Sequence, residues 1–80
     1  MDRIEKFFRK LSPNLRSRLI KEISEITENR LEGKDIKPIK RKKGWYRCRV
    51  GNIRIIFTST SSGTNVVTDA EFRGKVYRRF

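Results

Sequence analysis

The 80-residue sequence has no histidine and a single cysteine, Cys48. That rules out an internal disulfide and zinc sites of the Cys/His type. It also removes imidazole, the commonest general base, from any catalytic scheme. Carboxylates are scarce: nine Asp and Glu stand against 21 Lys and Arg, a net charge of +12. No apolar run approaches the roughly 20 residues of a membrane span, and no signal-peptide core is visible. The expected address is therefore the cytoplasm. Hydrophobic residues make up only 35% of the chain, yet they recur periodically, which predicts one small folded domain over residues 1–80. The charge excess sets a field that attracts nucleic acid or an anionic membrane, without choosing between them.

What is present is concentrated in the segment from Tyr46 to Phe57. Tyr46, Cys48 and Val50 alternate with Arg47 and Arg49, the period of a strand with two different faces. Gly51-Asn52 reads as a two-residue hairpin turn, with glycine free to take positive φ. The turn predicts the register: Val50 opposite Ile53, Arg49 opposite Arg54, Cys48 opposite Ile55, Arg47 opposite Ile56 and Tyr46 opposite Phe57. Arg47, Arg49 and Arg54 then share one face, and six apolar or aromatic side chains line the other. Directly opposed like charges cost a few tenths to about 1 kcal/mol. An external polyanion would compensate Arg49 facing Arg54; the alternative is a merely solvated face. Cys48 falls on the apolar face, where a free cysteine behaves as a small hydrophobe.

Ahead of the hairpin, Ile4, Phe7, Phe8 and Leu11 form the stripe of an amphipathic helix over Asp2 to Leu11. Ser12-Pro13 supplies an N-cap and a first helical residue. Leu15, Leu19, Ile23 and Ile26 continue at helical spacing to about Asn29, with Ile20 widening the stripe. The short joint predicts an antiparallel helix hairpin whose apolar faces lie on the sheet, leaving none for a membrane. Residues 31–44 read as a polar connection. In it Gly33 ends the second helix, and Ile36 and Ile39 reach the edge of the core. Lys40, Arg41, Lys42 and Lys43 follow just before Trp45. Such runs are commonly solvated loops, but this one adjoins the arginine face and is a candidate for phosphate contact. Trp45 is a candidate for stacking on a base. Asn65 to Asp69 reads as a third strand, and residues 70–80 as its completion followed by a short C-terminal segment.

This order, with "YRCRVGNIRIIF" and a closing "RGKVY", resembles the RelE/ParE superfamily, the toxins of type II toxin–antitoxin pairs. The similarity runs from Ile4 to Tyr77. It implies an α+β fold, an antiparallel helix hairpin on a small three- to four-stranded antiparallel sheet. It also implies a ribosome-dependent endonuclease that cuts mRNA in the A site, and an antitoxin, expected here to be acidic, that wraps the protein. The family's site positions fall on Arg47, Arg49, Arg54, Arg73 and Tyr77, although lysine is common where Arg47 and Arg49 stand. Some members carry a basic residue where this chain has Glu71, or a histidine where it has Phe72. The strand that usually precedes the helices is absent. ParE-type relatives, by the same resemblance, poison DNA gyrase instead. A catalytically inactive RNA-binding module is a third reading.

RNA cleavage of this kind needs no metal or cofactor, because the ribose 2′-OH attacks its own phosphate. Arginines grip phosphate and stabilise the developing charge. They stay protonated and cannot take the 2′-OH proton. The candidates for that step are Tyr77, Glu71 and Lys43. Nearby positive charge favours the phenolate of Tyr77, and a helical Arg73–Tyr77 segment would bring those two side chains together. Glu71 serves equally as a salt-bridge partner for a neighbouring arginine.

Overall fold

The computed structural model of the chain describes residues 3–72. The expected site residues Arg73 and Tyr77, and the C-terminal segment that carries them, lie outside the described residues. The elements are α1 (Arg3–Arg9), α2 (Pro13–Thr27), β1 (Asp35–Pro38), β2 (Trp45–Val50), β3 (Ile53–Ser59) and β4 (Asn65–Phe72). The strands form one antiparallel sheet in the order β1-β2-β3-β4, a simple meander. No strand precedes α1 among the described residues.

Local chemistry explains where the helices begin and end. Ser12 is extended (φ −63°, ψ 157°), and its hydroxyl accepts from Leu15 N at 3.3 Å. Pro13 follows at the first position, where its missing N–H costs nothing. A cap of this type is worth about 1 kcal/mol. Carbonyls at the end of α1 and in the joint after it are met from α2. Arg16 donates from Nε to Phe8 O and from Nη2 to Leu11 O, both at 3.1 Å. Asn29, not Gly33, ends α2. It takes φ +60°, the left-handed conformation that terminates helices, and its N–H donates to Ile26 O. Gly33 has positive φ in the turn before β1.

The β2–β3 register is the one the Gly51-Asn52 turn predicts, at all five pairs. Gly51 has φ +58°, so glycine is needed there. One face of the sheet meets the helices. Phe7, Leu19, Ile26, Cys48, Ile53, Ile55 and Phe57 are fully buried between the layers, joined by Leu11 and Val50. Tyr46 and Phe8 are half-buried at the margin of this cluster, and Tyr46 stacks on Phe57 with ring centroids 5.6 Å apart. Ile20 does not widen the apolar stripe: it is 48% exposed.

The polar connection contains a strand. Asp35–Pro38 pairs with β2, and of its four residues Ile36 packs against the core. The third strand read from the sequence extends past Asp69 to Phe72. Its pairing with β3 shifts by one residue between Ile56 and Phe57, so Thr68 is an extra residue, a β-bulge. Thr68 Oγ1 donates to Ile56 O at 3.3 Å across that irregularity.

Candidate nucleic-acid interface

The face of the sheet away from the helices is built in rows. In one row Asp35 lies opposite Arg49, Arg49 opposite Arg54, and Arg54 opposite Glu71. In the next, Lys37 lies opposite Arg47, Arg47 opposite Ile56, and Ile56 opposite Asp69. The like-charged pair Arg49 and Arg54 is therefore flanked by a carboxylate on each side. The compensation that the sequence suggested an external polyanion would supply is partly internal.

The rows are also graded in exposure. Arg49 is exposed and Arg47 half-buried, whereas Arg54 is only 6% exposed and Ile56 is buried. On β4, Asp69 and Glu71 are buried as well. All three arginines share the expected face, but Arg54 belongs to its covered part. Each buried carboxylate is held by the next backbone N–H. Asp69 Oδ1 accepts from Ala70 N at 2.9 Å and Glu71 Oε1 from Phe72 N at 3.0 Å. Asp69 Oδ2 also lies 3.5 Å from Arg3 Nη1, which ties α1 to β4.

Lys37 is a member of this face that sequence reasoning missed. It is exposed and paired with Arg47. The signal was present once Asp35–Pro38 is recognised as a strand, since its period puts Asp35 and Lys37 on the side opposite Ile36.

Lys40, Arg41, Lys42 and Lys43 form the β1–β2 loop. Its backbone is tied down at three points: Ile39 N to Trp45 O (3.0 Å), Lys42 N to Ile39 O (3.3 Å) and Trp45 N to Lys42 O (3.0 Å). Ser59 N donates to Gly44 O at 2.8 Å and fastens the loop to β3. Arg41 is left-handed at φ +65°, an uncommon state for a side chain other than glycine. Lys40, Arg41 and Lys43 are exposed. Lys42 Nζ sits 4.6 Å from the centroid of the Trp45 ring, a cation–π contact that covers part of one face of the half-buried indole. The loop thus offers cations on a fixed backbone, with the indole partly occupied by one of them.

Cys48 points to the other side. It is buried, and that burial, with the nearby charge of Glu22, pushes its thiol up to about 11. A thiol so placed is not a nucleophile at neutral pH. Beside it, Lys34 Nζ donates to Glu22 Oε2 and to Glu25 Oε1 (2.9 Å), linking the start of β1 to α2. Among the described residues, no group of His, Cys, Asp and Glu is arranged to hold a metal ion. No helix there is long and apolar enough to cross a membrane.

The molecule is thus a small α+β domain that places cations on the sheet face its helices do not use. No family model matches the sequence, and no curated protein matches it. A solved structure does. A chain of the RelB–RelE antitoxin–toxin complex from Methanococcus jannaschii is 31% identical, with a TM-score of 0.72, covering 94% of this chain and 89% of that one. The chain belongs to the RelE/ParE superfamily of toxin–antitoxin toxins, on its RelE-type side.

Proposed function

We propose that this toxin is a metal-independent endoribonuclease that cuts mRNA in the ribosomal A site. The observation that carries the reading is the run of cations on one sheet face, Lys37, Arg47 and Arg49 accessible beside buried Arg54, on a RelE-type fold. In this scheme Arg47 and Arg49 grip the substrate phosphates, and Arg54 and Arg73 stabilise the phosphorane. Lys40, Arg41, Lys42 and Lys43 hold the backbone of the flanking strand, and Trp45 borders it. No metal or cofactor enters the scheme.

The proton from the 2′-OH falls to Tyr77 rather than to Glu71. One oxygen of Glu71 is engaged by Phe72 N–H, and the residue is buried opposite Arg54. Lys43 is exposed in the β1–β2 loop, outside the row that holds Arg54 and Glu71.

The neutralising partner is an antitoxin whose acidic segment covers the arginine face. The matched structure from Methanococcus jannaschii is an antitoxin–toxin complex, which supports an antitoxin as partner. The working compartment is the cytoplasm, where translated message is found.

Single-turnover cleavage of a translated message, with and without ribosomes, tests the reading. Wild type should cut only with ribosomes, and Arg54→Ala should cut about 10²-fold more slowly, the loss typical of one transition-state donor. Absence of cleavage by wild type, together with inhibition of DNA gyrase, would replace it with a ParE-type function. Absence of both with RNA binding retained would leave an inactive RNA-binding module.

A further inference from the structure

Arg49 and Arg54 are the same residue type, directly opposed, yet the fold treats them differently. Arg49 is exposed, and its other cross-strand neighbour is the exposed Asp35 at the sheet edge. Arg54 is 6% exposed, and its other neighbour is Glu71, itself 5% exposed. A guanidinium withdrawn from water needs a compensating charge close by. Arg49 cannot supply it, being of like sign. Glu71 can, because directly opposed side chains on antiparallel strands stand about 4.5–5.5 Å apart at Cβ. Glu71 is also held in place: its Oε1 accepts from Phe72 N at 3.0 Å, which fixes the carboxylate relative to the β4 backbone.

We propose that Glu71 is a positioning residue for Arg54: it offsets the guanidinium charge in the free protein and fixes its direction. The accessible cations Arg47 and Arg49 then carry ground-state phosphate binding, and Arg54 is held ready for the charge that develops in the reaction. This division rests on the nuclease reading only for its catalytic half. Its binding half holds for any single-stranded RNA ligand.

The test uses the full chain and a single-stranded 2′-O-methyl RNA, which lacks the attacking hydroxyl, with binding followed by fluorescence anisotropy over a salt series. Glu71→Gln removes the offsetting charge and frees Arg54 to bind phosphate. Binding should tighten at least about 3-fold at low salt, and the slope of log affinity against log salt should steepen by about 0.7, the increment for one more phosphate contact. Glu71→Asp keeps the charge and should restore the wild-type slope. In single-turnover cleavage of ribosome-bound message, Glu71→Gln should be at least about 10-fold slower despite its tighter binding.

A merely structural carboxylate would weaken both readings together. The double variant Arg54→Gln/Glu71→Gln leaves no uncompensated buried charge, so it guards against a single variant that fails to fold. It should keep the wild-type salt slope while losing cleavage. A Glu71→Gln protein with the wild-type slope would overturn the proposal, as would a double variant whose slope falls by about 0.7. The binding arms decide this even if wild type proves not to cleave.

Discussion

Asn65, at the start of β4, donates from Nδ2 to the side-chain Oδ1 of Asn29 at 3.0 Å, and from the same nitrogen to Ile26 O at 2.9 Å. The two asparagines join the left-handed end of α2 to the first residue of the last strand. Asn65 is buried, and its amide is a second donor to Ile26 O, which also accepts from Asn29 N. Asn65→Ala should destabilise the protein by about 1–3 kcal/mol, the net worth of two neutral hydrogen bonds. Urea denaturation followed by circular dichroism would read this as a lower midpoint at unchanged slope. A midpoint equal to wild type would show that the latch contributes nothing.

The Lys34 link gives a pH signature. Burial lowers the Lys34 pKa, but the hydrogen bonds and charges of Glu22 and Glu25 outweigh it and hold the amine above its ordinary 10.5. The hydrogen bond from Lys34 in turn holds Glu25 below its ordinary 4.5. For the amine, the stability is fully present below the unfolded-state pKa near 10.5 and is lost as pH rises through the higher folded value. For Glu25 it is present above about 4.5 and is lost as pH falls through the lower folded value. Thermal melts from pH 3 to 11 should show both losses in wild type and a weaker dependence at both ends in Lys34→Met. Lys34→Met should also cost about 1–3 kcal/mol at neutral pH, the range for hydrogen bonds to charged groups.

Arg49→Ala should reduce the salt slope of RNA binding by about 0.7, one phosphate contact on a single strand. Arg47→Lys should preserve both binding and cleavage, because a lysine at that place still meets phosphate as a point charge. Anisotropy at four or more salt concentrations measures the first. An unchanged slope in Arg49→Ala would place the RNA on another surface.

Cys48 should be inert. Its burial and raised pKa predict that a thiol-exchange reagent at pH 7.5 labels the native protein at least about 10²-fold more slowly than the urea-unfolded chain. Comparable rates would mean that the sheet opens readily at β2.

The hairpin was legible because two independent signals agreed there. Residue alternation set the faces and Gly51-Asn52 set the register. The helices were legible from apolar spacing, and the start of α2 from Ser12-Pro13. β1 was hidden because only Ile36 of its four residues reaches the core, too little to show a period. The spacing put the end of α2 near Asn29, but the terminator was read as Gly33 because glycine is the expected residue, whereas Asn29 fills that role with help from Asn65, 36 residues away.

The burial of Arg54 had no local signal at all. Arg49 and Arg54 look alike in the sequence. Their different neighbours come from strand order, which sets β3 beside β4 and β2 beside a four-residue edge strand. The carboxylates that neutralise the face were invisible for the same reason: they arrive from β1 and β4, not from the hairpin.

The extra residue at Thr68 has a consequence for comparing sequences. Val67 lies opposite Phe57 on the helix side, while Asp69, two residues on, lies opposite Ile56 on the far side. A regular strand would put both on the same side. A relative lacking the bulge would need a gap at position 68 to be compared correctly over β4. An alignment run straight through would equate Asp69 and Glu71 with apolar interior positions, and would erase from view the two acidic residues that balance the arginine face.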